Sequence, residues 1–378
     1  MKKVLFTSLP LVLSLFLLFA VFSTASACGG LFCQTSPVNQ DMERIIFAVN
    51  DNETISAYVQ INYTGQAPNF SWVVPVPDVP EVDVAEMSTF YELAALTDPM
   101  FIPPLMPECA RIQREQAQAA SATATLLPTP TFFADVEVLS SGTAGLYAFD
   151  VVTSEDPNAL IYWLRTNNYQ VMPAMEPLVH VYSDEGMVFL AMKLQPDQGV
   201  QDIQPVKMTY PSERPMIPLR LTAVAANPHM TVQTWIFADA QAIPTNWAYP
   251  TVDDADLRLD ASTTTGTNYV ALADATIDLY EGRAFITEYG QPAASLAELR
   301  PDDALLQQLA ADYDYVTRVL GRISPEEMTV DPIFDFSTQL PDISNIHDLS
   351  NADAAVFWGC ENRPIQLEYD EAVVPDGF

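Results

Sequence analysis

Residues 55–62, read ISAYVQIN, alternate strictly between apolar and polar side chains. Ile55, Ala57, Val59 and Ile61 fall on one side, and Ser56, Tyr58, Gln60 and Asn62 on the other. A period of two places successive side chains on opposite faces of a strand, so this stretch predicts a β-strand with one buried face. A slip of one residue would turn the whole apolar set to water, so the pattern also fixes the pairing register. The alternation spreads outward from here. RIIFAV precedes it across a turn at Asn50-Asp51-Asn52, and FSWVVPVP follows a second turn at Thr64–Pro68. Glu43 to Pro77 therefore predicts an antiparallel meander. Pro75 and Pro77 lie on one side of its third strand, as at a sheet edge or strand end.

The same period returns in VEVL and GLYAF, and in LVHVYSDEGMVFLAMKL (residues 178–194), which predicts a hairpin around Asp184-Glu185-Gly186. PVKMTYPSERPMIPLRLTAVAA and MTVQTWIFAD continue it. Helical patterns are fewer. Residues 84–96 have helix-compatible apolar positions at Val84, Met87, Tyr91 and Ala94 or Ala95, with Asp83 as N-cap and Glu86 completing a capping box. Asp156-Pro157 opens a second helix over ALIYWLRTNNY, stopped at Asn167-Asn168. Leu299, Leu306, Leu309, Tyr313, Val316 and Leu320 form an amphipathic stripe that predicts a helix near 301–321. Strands and helices do not alternate in a βαβ rhythm. The expected fold is β-rich α+β, with antiparallel sheets in a meander or sandwich-like arrangement and a few peripheral helices.

The organisation along the chain is as follows. Residues 1–27 read as a signal peptide, with Lys2 and Lys3, an apolar run from Val4 to Phe22, and the small-residue pattern Ala25-x-Ala27. No later window is apolar enough for a second span, so no membrane span is expected after cleavage. Residues 28–109 form an N-terminal β-meander plus helix, and residues 110–131, rich in Ala, Gln and Thr, a low-complexity insertion. Residues 132–340 make a β-rich α+β region, and residues 341–378 an irregular acidic tail. Sixteen basic against 49 acidic residues give a net charge of −33. That field repels phosphate backbones and anionic head groups, which argues against nucleic-acid partners. It leaves calcium or a cationic partner open, and no cofactor is expected. Apolar residues make up 49% of the chain, enough for a core.

Catalytic signatures are missing. His180, His229 and His347 are far apart and form no HExxH pair, and there is no GxSxG, GxxxxGK[ST] or GxGxxG, nor a calcium-binding DxDxDG-type loop. The disulfide candidates are Cys28, Cys33, Cys109 and Cys360, with three pairings open. Their spacing is not that of a four-cysteine zinc site or a CxxC redox pair. Cys28 and Cys33, separated by Gly29-Gly30 and two further residues, favour a local bridge. A lipid anchor on Cys28 is the alternative, and Ala25 stands where a lipoprotein signal usually carries Leu. Arginines embedded in apolar segments of so acidic a chain are expected to pair with buried carboxylates. Arg220, Arg318 and Arg322, with Trp72 and Trp163, are the residues a ligand clamp would use instead.

CGGLFC, PVNQDMERIIFAV and YTGQAPNFSWVVPVPDVPEV, followed by ALIYWLRTNNY, MVFLAMKL, IPLRLTAVAANP, AFITEYG and VTRVLGRISPEEMTVDPIF, resemble a family of exported bacterial proteins, domain of unknown function 2330. The resemblance runs from Cys28 to about Phe336. It implies an extracytoplasmic bacterial protein and carries over no catalytic residue. The expected role is a non-enzymatic binding or structural module of the cell envelope, its ligand and its envelope or protein partner unidentified. A secreted hydrolase with a dispersed active site, or a lipid-anchored envelope protein, are the alternatives.

Overall fold

The alternating stretch becomes the second arm of a hairpin. Strand β1 (Asn39–Asn50) pairs antiparallel with β2 (Thr54–Thr64), Asn50 facing Thr54 across the expected turn. The structure, a computed structural model, describes residues 39–64, 71–109, 137–169, 171–195, 203–376 and 378. The signal segment, Cys28, Cys33 and the 110–131 insertion lie outside the described residues.

The remaining strands are β3 (Ser71–Val76), β4 (Glu81–Val84), β5 (Met100–Ile102), β6 (Glu137–Ala144), β7 (Tyr147–Thr153), β8 (Val188–Leu194), β9 (Val206–Pro211), β10 (Ala226–Ala238), β11 (Gln241–Pro244), β12 (Ile286–Pro292), β13 (Tyr315–Ile323), β14 (Phe334–Ser337) and β15 (Ile346–Asp348). The helices are α1 (Met87–Thr97), α2 (Pro157–Thr166), α3 (Glu176–Asp184), α4 (Leu219–Thr222), α5 (Tyr269–Asp278), α6 (Ala294–Glu298), α7 (Ala304–Asp312) and α8 (Ala354–Phe357). Seven strands form one sheet in the order β12-β13-β10-β1-β2-β9-β4, and four form another, β3-β8-β7-β6. β11 with β14 and β15 with β5 make two-stranded sheets. The large sheet is mixed, because β1 runs parallel to β10 at its centre.

The two main sheets pack face to face. Ile45 and Phe47 of β1, Ile55, Ala57 and Val59 of β2, and Trp72, Val74 and Val76 of β3 share one core with Leu190 and Met192 of β8. The opposite face of the large sheet, with Ile46, Tyr58, Trp235 and Phe237, lies under α1, α6 and α7. The opposite face of the small sheet, with Val73, Phe189 and Ala191, lies under α2 and α3. β8 is therefore buried on both sides, which is why VFLAM reads as an unbroken apolar run before Lys193. A fourth cluster packs α5 and the tail residues Leu349 and Phe357 against Ile286 and Leu320. This architecture is the expected β-rich α+β class.

Four local expectations are corrected. The third strand of the meander leaves its neighbours, because β3 pairs with β8 in the other sheet and β2's second neighbour is β9. WVVPV is apolar on both faces and carries Pro75, so it suits the edge of a sheet covered on both sides. The hairpin over 178–194 is a helix followed by a strand. In α3 the buried residues are Val179 and Tyr182, three apart, and Gly186 at φ +80° ends the helix, with Met187 N–H donating to the Tyr182 carbonyl at 3.0 Å. His180 thus lies on a helix. The helix near 301–321 stops at Asp312, and Val316 and Leu320 belong to β13. A spacing of four fits one turn of helix and also two periods of strand, so the stripe ran across a boundary that it could not mark. Finally, α1 starts after Glu86, without side-chain capping by Asp83 or Glu86. It buries Phe90 and Leu93 and leaves Tyr91 59% exposed. The second predicted helix stands as read, its Asp156 carboxylate accepting from Asn158 N–H at 2.9 Å.

Candidate functional site

β13 turns Arg318 and Arg322 to the outer face of the large sheet, four residues apart, and the fold surrounds each with acceptors. Arg318 Nε donates to Glu288 Oε2 at 2.8 Å, one terminal nitrogen donates to Gln233 Oε1 at 2.9 Å, and the other bonds Thr97 Oγ1 at 3.2 Å and the Asp98 carboxylate. Arg318 and Glu288 are both almost fully buried, whereas Asp98 is largely exposed. Tyr269 on α5 donates its hydroxyl to the second Glu288 oxygen at 2.8 Å, and burial raises its pKa well above the ordinary value. Past Tyr269, His347 stacks on Phe101 with ring centroids 5.0 Å apart, its Nδ1 2.5 Å from Asp254 Oδ1.

Arg322 Nε donates to Asp274 Oδ1 at 2.7 Å, and a terminal nitrogen donates to Thr231 Oγ1 at 2.6 Å. Arg220, on α4, donates to Asp331 Oδ2 at 2.8 Å and grips Glu185 with two nitrogens at 2.8 and 2.5 Å, while Tyr182 donates to the other Asp331 oxygen at 2.9 Å. Burial raises the Asp331 pKa, with the Arg220 bonds opposing it. The three guanidinium groups thus sit in three separate assemblies, each bonded to carboxylates of its own chain. Trp163 is buried elsewhere, stacked on Tyr169 at 6.0 Å. Among the described residues no serine, threonine or cysteine side chain bonds a histidine ring, and no group of three or more His, Cys, Asp or Glu side chains could hold a metal ion.

Trp72 stands apart from the arginines and beside an acid that belongs to no sequence motif. Positions 43, 45, 47 and 49 of β1 all point into the space between the two sheets, and the first of them is Glu43. Glu43 is only 7% exposed. It borders a narrow crevice of about 10 Å³, whose other walls are Gln40, Trp72 to Pro75 on β3, and Pro218, Leu221 and Thr222. Among the described residues its one hydrogen bond is from Gln40 Nε2 at 3.2 Å, and none of their cations pairs with it. Burial pushes the carboxyl from 4.5 up to about 7, the Gln40 bond opposing. The sequence did hold a signal for this site, an acid in phase with the inward stripe Ile45-Phe47-Val49.

The raised pKa makes a stability prediction. An acid whose folded pKa exceeds its unfolded value binds more protons when folded, so its contribution is intact below about 4.5 and is lost as pH rises through about 7. Glu43→Gln removes the ionisation and should escape that loss. Chemical denaturation should find the variant equal to the wild type near pH 4 and more stable above pH 7, by on the order of 3 kcal/mol. Parallel pH profiles would count against a buried, uncompensated Glu43.

A family model described as an uncharacterised protein conserved in bacteria (DUF2330) matches residues 22–335. Comparison with curated proteins and with solved structures returned no match.

Proposed function

The chain belongs to that family of uncharacterised bacterial proteins, and from that premise we propose that it works outside the cytoplasm as a non-enzymatic binding or structural module of the cell envelope. The observation that carries the reading is the Cys109–Cys360 disulfide, which joins residues 251 apart in sequence with Cα atoms 6.0 Å apart. Bridges of this kind persist in oxidising compartments and are rare in a reducing cytosol. The N-terminal signal pattern points the same way. Arg220, Arg318 and Arg322 are spent on internal carboxylates, which leaves none of the three free to clamp a substrate or ligand. Among the described residues no helix is long and apolar enough to cross a membrane.

Intact mass tests the proposal. The full chain, expressed with its own leader in a bacterial host, should be recovered outside the cytoplasm beginning at Cys28. Without reductant it should be lighter by two hydrogens per bridge, and a Cys109–Cys360 peptide should appear in a non-reducing digest. A cytoplasmic product that keeps its leader and has free thiols would overturn the reading. A diacylglycerol-sized increment on Cys28 would replace the free N-terminus by a lipid anchor.

A further inference from the structure

We propose that the cavity between α5 and the C-terminal tail receives an organic cation, an ammonium or guanidinium group on an alkyl body. The inference deepens the binding-module reading and rests on it. The cavity holds about 370 Å³, within the roughly 300–1,000 Å³ of small-molecule sites. Its floor is buried and consists of Leu272 and Thr276 on α5 and Asp256 from the 3₁₀ turn Asp254–Asp256. Its rim is exposed, with Asp253 and Ala255 on one side and Arg363 and Glu368 on the other. A buried floor under an exposed rim leaves the cavity open to solvent, and every wall belongs to the described residues. The tail that forms one wall is held at both ends. The Cys109–Cys360 bridge fixes its start. At its end Tyr369 stacks on Tyr280 with ring centroids 4.8 Å apart, and Asp370 N–H donates to the Tyr280 hydroxyl at 3.0 Å. Between these anchors Gln366 N–H donates to Asp256 Oδ2 at 3.2 Å. The walls are therefore in place before a ligand arrives, which lowers the ordering cost of binding.

The lining selects the charge of the occupant. Three carboxylates, Asp253, Asp256 and Glu368, line the cavity with one guanidinium, Arg363, which already donates to Asp353 Oδ2 at 2.7 Å. The field inside is thus negative and favours a cation. Asp256 is 8% exposed, and its bonds from Arg258 at 3.3 Å and from Gln366 N–H at 3.2 Å are longer than the roughly 2.7–2.9 Å of a tight charge-assisted bond. A carboxylate has about four acceptor sites, so half of its capacity is unused at the floor. Asp253 accepts from Ala255 N–H at 2.8 Å through one oxygen, and Glu368 has no hydrogen bond or ion pair among the described residues. A bare metal ion does not fit, because among the described residues no three such side chains are placed to hold one. No aromatic side chain lines the cavity to stack on a sugar or a base, or to cage a quaternary ammonium. Leu272, Leu279 and Leu367 instead give apolar surface for methylene groups, as an alkylammonium or alkylguanidinium requires.

The test uses the full mature chain, with spermidine, Nα-acetyl-arginine amide and Nα-acetyl-lysine amide as probes in calorimetric or NMR titrations at moderate salt. Wild type should bind at least one probe saturably. Asp253→Asn/Glu368→Gln removes the two rim charges while asparagine keeps an acceptor for Ala255 N–H, and it should lose about tenfold or more of the affinity. Glu81→Gln/Asp83→Asn, which removes equal charge from exposed positions on β4 at the far edge of the large sheet, should not. Both double variants change exposed groups and should unfold at the wild-type denaturant midpoint, so lost binding cannot be blamed on unfolding. Binding of spermidine alone would assign the site to free polyamines, and binding of either amide would assign it to a basic peptide side chain. Equal affinity in wild type and Asp253→Asn/Glu368→Gln, an equal loss in the β4 variant, or no binding of any probe overturns the proposal. A protein that is exported with its bridge intact but binds no cation fails this inference only, and a cytoplasmic protein that binds one fails only the broader reading.

Discussion

Arg318→Met should destabilise the protein by about 3–5 kcal/mol, the cost of leaving a buried charge without its partner. The substitution keeps the volume and the aliphatic stem but removes every donor that Arg318 supplies. Glu288, almost fully buried, would keep only the Tyr269 hydroxyl. Gln233 Oε1 would lose its donor in an equally buried setting, and Trp235 would lose the guanidinium that lies 5.4 Å from its ring. Asp98 should matter little, because it is exposed and water can replace the arginine. The cost therefore belongs to Glu288, and that is testable. Arg318→Met/Glu288→Gln should recover more than half of the loss, since glutamine keeps an acceptor for Tyr269 and brings no charge. Denaturant midpoints of the four proteins in the cycle decide the matter. If the single variant lies within about 1 kcal/mol of the wild type, the ion pair is not the keystone of this face.

What the sequence made legible, and what it hid, follows from the range of the interactions. The β1–β2 hairpin is written in neighbouring residues, namely an alternation, a polar turn and a second alternation, and it was readable. So was the start of α2, where Asp156 caps the helix two residues away from the N–H it accepts. β3 was recognisable as a strand but not as a member of the other sheet, because nothing in WVVPV names its partner. Pro75 signalled an edge, and β3 is an edge, but of β8's sheet. Arg318, Arg220 and Arg322 stood out by their scarcity. Their partners Glu288, Asp331 and Asp274 lie 30, 111 and 48 residues away, beyond any local pattern. Glu43 was hidden for a different reason. It stands just before RIIFAV as a charged residue and looks like the polar margin of a strand, and only its phase with Ile45 and Phe47 points it inward. Searches for motifs pass over such a residue, since it belongs to no motif and gains its chemistry from burial alone.

Removing the Cys109–Cys360 bridge should have the second large effect. If the bridge acted only by restricting the unfolded chain, a loop of this span would correspond to about 5 kcal/mol, near the top of what single disulfides contribute. The folded state argues for a smaller figure. The tail does not depend on sulfur alone, because β15 pairs with β5, Trp358 Nε1 donates to the Pro104 carbonyl at 3.0 Å, and Leu349 and Phe357 are buried against α5. These contacts hold residues near 100–105 and near 346–358 together before any bridge forms, so the native geometry should survive its loss. Cys109→Ala/Cys360→Ala is accordingly expected to fold and to lose about 2–4 kcal/mol. The denaturant slope should increase, because the unfolded chain is no longer cross-linked and exposes more surface. Substitution is the right test because reductant would also act on Cys28 and Cys33. An unchanged midpoint and slope would mean that the bridge adds nothing to what the tail's own packing achieves. A fall in midpoint with the steeper slope would place its effect in the unfolded chain, whose freedom the bridge restricts.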